Sequence, residues 1–471
     1  MADGRAVWRL AWPMIVSNVS VPLLGLVDAA ILGHLPDARY LAAVAVGTTL
    51  FGFLYWGFGF LRMGTTGLVA QAWGRPADAA RDSGLRLLLA QGIVLGGAIG
   101  VLVLVLSTPL LGLGFAALAP PPEVLAEAWR YCGIRVWSAP AVLATYALLG
   151  FLVGAQDTRS VLAVMVTTNL ANIVLDLTLV LGFGMRTDGV AAATALSEYL
   201  GLALAAWLAW RRCASLGGGL LVAALLRIDA YRALLAVNGH LFVRTLCLLG
   251  TMAFFTAQGA RQGEEILAAN ALLLNLLMLV SFGLDGFAHA AEALTGRAVG
   301  GGRPAEVART VLAAGTFSLL TALAFSLLFA VGGGLLLDAL TDLPTVAAAA
   351  HAYLPWLTVL PLLAVWCFLF DGVFIGATRT RAMRDTMIAA TALVFLPIWA
   401  LTRDLGNTGL WLAFDAFFVA RGLGLGFLCW REARDGRWFV RAPRGMEAPD
   451  PDEDPGPHDG GGQSASLGGR G

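Results

Sequence analysis

The chain has 471 residues, 58% of them hydrophobic and only 13% charged, with a mean hydropathy of +0.76. Soluble globular domains carry about 25% charged residues, so a water-soluble fold is excluded and the solvent for most of this chain is lipid. The 31 basic and 31 acidic residues cancel, which gives no footprint for nucleic acid, and every basic residue is Arg, which excludes a Walker A lysine and lysine Schiff-base chemistry.

Apolar windows between charged or Gly/Pro-rich breaks lie near 12–34, 41–72, 84–113, 130–155, 160–185, 189–210, 233–258, 266–296, 308–337, 346–376, 384–402 and 409–430. Twelve spans of about 20 residues fit the length, so the expected class is an all-α integral membrane protein. The N-terminus has no small-residue cleavage site, and its first apolar run opens the membrane domain. Loops on one side, with both termini, carry 22 Arg; the alternate loops carry 6, namely Arg39, Arg130, Arg135, Arg186, Arg261 and Arg403. The positive-inside rule then places both termini in the cytoplasm.

The chain repeats itself. Leu41-Ala42-Ala43 and the loop at Gly74-Arg75-Pro76-Ala77 are echoed by Leu267-Ala268-Ala269 and Gly302-Arg303-Pro304-Ala305, and G-F-L-V-G-A-Q-D-T-R at 150–159 by G-V-F-I-G-A-T-R-T-R at 372–381. Two six-helix lobes related by an axis along the membrane normal follow, with a central cavity between them for substrate. The expected boundaries are a first lobe at 1–212, a cytoplasmic linker at 213–232, a second lobe at 233–445 and a disordered Pro/Asp/Gly/Ser-rich tail at 446–471.

An ionised group at mid-bilayer costs about 2.5–3.5 kcal/mol even on the lenient scale, so each buried charge is a functional candidate. Asp28 lies within the first span with no basic residue in helical reach; Leu24, Val21 and Ser17 share its face. Pro22, six residues earlier, removes a backbone hydrogen bond and makes this span bendable, whereas Pro13 lies near the expected helix start, where proline is tolerated. Asn172 and Asp176 share one face of the fifth span, and Thr194 adds a hydroxyl from the sixth. These oxygens suit either a proton or Na⁺; the alternative is that Asn172 hydrogen-bonds a neighbouring helix.

The second lobe offers Arg244, Asp285, Glu292, Asp371, Asp415 and Arg421 inside its windows. Arg244 with Asp285 or Asp371 forms either a neutralised structural pair or a substrate contact. Arg62 snorkels or pairs with an acid. Glu198 lies within the sixth span. Phe51, Trp56, Met63, Met278 and Phe282 are packing groups or the lining of a cavity for flat apolar cations. The five cysteines, 132, 213, 247, 367 and 429, are scattered and read as small buried apolar groups.

The segments P-M-I-V-S-N-V-S-V-P-L-L-G-L-V-D-A-A-I-L-G-H-L at 13–35, F-G-F-L-R-M-G-T-T-G-L-V-A-Q-A at 58–72, N-I-V-L-D at 172–176 and L-D-G-F-A-H-A-A-E-A at 284–293 resemble the multidrug and toxic compound extrusion (MATE) transporters, in particular their DNA-damage-inducible (DinF-like) branch. The resemblance covers about residues 8–435. It implies two six-helix lobes and export of organic cations and drugs against inward H⁺ or Na⁺. Carried over by position, it implies Asp28, Asn172, Asp176 and Thr194 as the cation-coupling set and Pro13 as the proline whose bend follows protonation. In another branch the seventh span supplies an acid to a second-lobe site; here its core offers Arg244, although Asp371 matches the tenth-span acid.

The leading expectation is a monomeric drug antiporter of the bacterial inner membrane, without cofactor, with H⁺ ahead of Na⁺ as coupling ion. A lipid-linked saccharide flippase is the runner-up. It needs several cavity arginines for a pyrophosphate, and Arg62 and Arg244 are the mid-span candidates. An integral-membrane enzyme is weaker still: the histidines at 34, 240, 289, 351 and 458 form no H-E-x-x-H, no G-x-S-x-G occurs, and the best residual constellation, His289 with Glu292 at i,i+3, reads as a chance pair.

Overall fold

The computed structural model describes residues 2–32, 37–219, 222–436 and 438, without the side chains at 2, 3, 23, 26, 28, 29 and 32. Residues 439–471, which include the tail expected to be disordered, lie outside the described residues. Twelve long helices follow one another up and down: α1 (Ala2–Leu32), α2 (Ala38–Gly74), α3 (Ala79–Val105), α4 (Pro122–Gly154), α5 (Thr158–Gly182), α6 (Thr187–Ala214), α7 (Ile228–Ala260), α8 (Glu264–Gly300), α9 (Pro304–Leu340), α10 (Pro344–Gly376), α11 (Thr380–Leu405) and α12 (Asn407–Arg434). Among the described residues, the 11 from α2 to α12 are long and apolar enough to cross a membrane. Helices close all their backbone hydrogen bonds internally, which lipid requires. Large apolar side chains such as Val331, Leu335, Leu401 and Leu423 stand on the outer surface, where acyl chains take the place of water.

The duplication is visible in the helix ends. A shift of 226 residues carries Ala38–Gly74 onto Glu264–Gly300, a shift of 222 carries Pro122–Gly154 onto Pro344–Gly376, and a shift of 220 carries Thr187–Ala214 onto Asn407–Arg434. The first-lobe core runs without a break into Phe287, Ala290, Val373 and Phe374 of the second lobe. A separate core around Phe255, Trp411, Phe414 and Phe417 fills the middle of the second.

Three details depart from the sequence expectation. First, α1 begins at Ala2, ten residues before the apolar window, so Pro13 lies inside the helix and not at its start. Trp8 packs on Phe287 and Phe317 of the second lobe and the Ala11 carbonyl lies against Gly286, which keeps that polar-flanked stretch helical. Second, α2 is broken at Phe58 and Gly59, where the amides turn to bond three residues back, at 3.0 Å to Tyr55 and 3.1 Å to Trp56. Third, the window 84–113 is split at Leu106, after which a short helix, Ser107–Leu118, continues. In addition, α5 and α11 each carry a π-helical turn, Leu177–Gly182 and Ala390–Phe395.

The lobes meet along a seam between α2 and α1 on one side and α8, α10 and α7 on the other. Call the end where α1 starts and α2 stops the arginine-rich end. There the backbones touch: a Cβ at Gly67 would collide with the carbonyl of Ile375, and one at Gly300 with that of Gln71. Gln71 Nε2 donates to Gly376 O at 3.1 Å and to Thr378 Oγ1 at 2.9 Å, and Arg297 Nη1 donates to Gln156 Oε1 at 3.0 Å. At mid-depth Asn18 Nδ2 donates to Phe282 O at 3.3 Å. Among the described residues, every interlobe hydrogen bond lies at mid-depth or in the arginine-rich half.

Candidate functional site: a buried polar cluster in the first lobe

Asn172 and Asp176 point inward from α5, one turn apart, with 1% and 0% of their surface exposed. With its amide oriented to use both groups, Asn172 donates to Asp176 Oδ2 at 3.2 Å and accepts the Thr194 amide hydrogen at 3.2 Å. Thr194, also buried, donates its hydroxyl to Val190 O at 2.9 Å. Three residues from two helices, picked out by spacing and by resemblance, are thus in one place. A carboxylate in an apolar helix bundle is costly unless hydrogen-bonded, and the Asn172 amide supplies that bond.

α1 runs beside α5 in the same direction. Asn169 Nδ2 donates to Ser20 Oγ at 2.9 Å, Ser20 Oγ donates to Ser17 O at 2.7 Å, and Ser17 Oγ donates to Pro13 O at 2.7 Å. Hydroxyls bonded back onto the helix carbonyls favour bending, as do Pro13 and Pro22, both inside α1. The side chain of Asp28 lies outside the described residues; its backbone is helical. From the Ser20–Asn169 contact Asp28 is eight residues on and Asp176 seven. At 1.5 Å per residue that is about 12 Å against about 10.5 Å, so the two backbones reach the same level.

The second lobe differs at the corresponding place. The 222-residue shift carries Asn172 and Asp176 to Val394 and Ile398, and the 220-residue shift carries Thr194 to Phe414. Its charges sit elsewhere. Asp371 is gripped by two guanidiniums, Arg244 and Arg421, the latter at 2.7 Å, and Arg421 also lies over the rings of Phe417 and Phe418 at 5.3 and 5.6 Å. Arg244 therefore pairs with Asp371 and not with Asp285. Arg421 and Asp415 are six residues apart on α12, about a third of a turn out of phase, and Arg421 reaches Asp371 instead. Asp415 is buried, and its Oδ1 has no hydrogen-bond partner among the described residues. Asp285 is half-buried on α8. Phe282 and Met63 are also half-buried, and Met63 packs on the first-lobe core.

Arg62 of α2 crosses the seam. Its Nη1 lies 3.2 Å from His289 Nδ1 and 3.8 Å from Glu292 Oε2, and His289 Nδ1 lies 3.3 Å from the same Oε2. Glu292 is 1% exposed and His289 9%. The pairing of Arg62 with an acid is as the sequence allowed; its location on the interface between lobes was not legible there. At the arginine-rich end a cleft of about 870 Å³ has Gln71 and Arg75 of the first lobe facing His240, Arg379, Arg381 and Arg431 of the second.

The sequence model of the family described as MatE matches residues 13–178 and 241–400. The DNA damage-inducible protein F of Escherichia coli (strain K12) is 41% identical over 93% of this chain and 95% of its own. A probable multidrug resistance protein NorM of Deinococcus radiodurans is 27% identical over 90% of this chain and 94% of its own. Among solved structures, the Vibrio cholerae MATE transporter VcmN in the bent form superposes with a TM-score of 0.81 at 22% identity, covering 93% of this chain and 99% of that one.

Proposed function

Since this chain belongs to the MatE family, whose members are transporters and not enzymes, we propose that it is a secondary antiporter that exports organic cations or amphipathic drugs in exchange for H⁺. The observation that carries the reading is the buried cluster of Asn172, Asp176 and Thr194 at the level of Asp28. Two acids at one depth in an apolar lobe are held ionised by a bound organic cation or discharged by an incoming proton. Substrate and proton then exclude each other, as antiport requires.

The 22-to-6 arginine asymmetry supports cytoplasmic termini in the bacterial inner membrane. In that frame the close interlobe backbone contacts at the arginine-rich end support reading this as an outward-facing state. Protonation from outside lowers affinity for the exported compound, α1 bends at its prolines, and the lobes rock. One charge moving down about 150 mV supplies about 3.5 kcal/mol, enough for a gradient of a few hundred-fold. The division into lobes at 1–212 and 233–445 with a linker at 213–232 goes with this cycle. A flippase reading is disfavoured because Arg62, Arg244 and Arg421 are bound to Glu292 and Asp371, leaving none of these mid-span guanidiniums for a pyrophosphate.

The test is reconstitution into liposomes, with dye efflux driven by a pH jump and by a Na⁺ jump in turn. The pH jump is expected to drive efflux in the native protein, and Asp28→Asn to abolish it while still folding. Normal pH-driven efflux by that variant would refute Asp28 as the coupling group.

A further inference from the structure

From the geometry at Arg62, His289 and Glu292 we infer that His289 is a second proton-binding site, placed on the seam between the lobes, and that its protonation releases the seam. The inference rests on the antiport reading and deepens it by assigning a residue to the step in which the lobes part. One ring nitrogen, Nδ1, faces both a guanidinium nitrogen at 3.2 Å and a carboxylate oxygen at 3.3 Å. A guanidinium only donates and an ionised carboxylate only accepts. Nδ1 therefore serves Arg62 when bare and Glu292 when protonated.

In the bare state Nδ1 accepts from Arg62 across the seam. The charges of Arg62, neutral His289 and ionised Glu292 sum to zero. The lobes are tied. A proton on Nδ1, with Nε2 already carrying its hydrogen, turns the acceptor into a donor. The hydrogen bond passes to Glu292 on the same helix, and the imidazolium faces Arg62 as a like charge on the other lobe. The sum becomes +1, and a bond across the seam is replaced by repulsion in a poorly solvated place, where charges act strongly on one another. The Arg62–Glu292 pair at 3.8 Å still spans the seam, so the imidazolium weakens the tie by opposing Arg62 and by drawing on the charge of Glu292; the proton leaves when the parted lobes expose His289 to the opposite side. Glu292 Oε1 is buried and without a hydrogen-bond partner among the described residues.

The other groups around this site fit the same sense. Asp285, one turn from His289 toward the far end, is half-buried and close enough to feel the charge of both His289 and Arg62. It offers the proton a stepping point from the open side. Asp371 on α10 is engaged by Arg244 of α7 and Arg421 of α12. Tyr146 on α4 lies near Arg62. α1 and α9 meet this stretch through Ile15, Trp8 and Phe317, which carry no charge.

The experiment measures distances by double electron–electron resonance between nitroxides at Leu41 and Glu265, exposed positions on opposite lobes at the far end. It uses the full chain in nanodiscs with its native cysteines replaced. Acidification from about pH 8 to about pH 5 should shift the native ratio of far-end-open to far-end-closed populations about tenfold toward closed. His289→Gln keeps an acceptor for Arg62 but cannot take a proton, and should lose most of that shift. Should His289→Gln fold poorly, Arg62→Gln removes the repulsion and is expected to lose the shift equally. A pH profile of either variant superimposable on the native one overturns the inference. Asp28→Asn in the same assay separates the two readings: it should retain the His289-dependent shift while losing efflux. If instead it keeps full efflux, the coupling assignment fails independently of what His289 does.

Discussion

The Asn172 amide is one support of Asp176. If Asn172 were Leu, Oδ2 would lose its 3.2 Å hydrogen bond inside an apolar lobe, a loss of about 1–3 kcal/mol. Asn172→Leu should therefore lower the thermal midpoint in detergent, and Asp176→Asn, which removes the buried charge, should restore it while leaving efflux absent. A double variant as unstable as Asn172→Leu alone would show that the amide supports something other than the carboxylate. Asp371 makes the opposite prediction. Its charge holds two buried guanidiniums, and Asp371→Asn leaves both without a counter-charge. Breaking a buried pair on one side costs about 3–5 kcal/mol, so this variant should fail to accumulate as folded protein. Wild-type stability for it, measured by fluorescence-detected size exclusion after heating, would contradict the pairing. At this scale the sequence was informative wherever a residue's partner lies on the same helix or follows from the family pattern, as for Asn172, Asp176 and Thr194. It was silent on Arg62 with Glu292 and on Arg421 with Asp371, because those pairs join helices far apart in the chain and nothing in a 3.6-residue period records which helix faces which.

Among the elements, α1 and the α2–α8 seam carry the conformational argument. A proline in a helix interior costs about 3 kcal/mol relative to alanine. Pro22→Ala should therefore stiffen α1, raise the thermal midpoint and slow pH-driven efflux by at least about tenfold; unchanged efflux would remove bending of α1 from the cycle. On the seam, Gly300→Ala would set a methyl group against the carbonyl of Gln71. Overpacking of this kind costs about 1–3 kcal/mol, and here it would act mainly on the sealed state. The expected outcome is a population shifted toward the far-end-closed form, read from distances between the lobes; an unshifted distribution would mean that the two backbones are not in contact in the membrane. Hydropathy located these helices well but mistook two of their features. It began α1 too late, since Arg5 and Arg9 ended the apolar window while packing kept the helix going to Ala2. It also passed over the break at Phe58 and Gly59, because a helix interrupted within an apolar stretch leaves no mark on mean hydropathy.

For the whole molecule, two copies of one six-helix plan have been put to different uses. Equal helix lengths at shifts of 226, 222 and 220 residues show the shared plan. Its cores show the divergence: the polar site of the first lobe corresponds to Val394, Ile398 and Phe414 in the second, amid Phe255, Trp411 and Phe417. In the proposed cycle the Asn172, Asp176 and Thr194 cluster is a first-lobe feature that the second lobe does not duplicate; there Asp371 is engaged by Arg244 and Arg421. In the proposed cycle substrate and proton compete for the acids of the first lobe, and the protons released when an organic cation binds report that competition. Calorimetric titration with a cationic dye, in buffers of different ionisation enthalpy near neutral pH, is expected to show proton release in the native protein and a clear loss of it in both Asp28→Asn and Asp176→Asn. Binding that releases no protons in the native protein, or equal release in the variants, would contradict it.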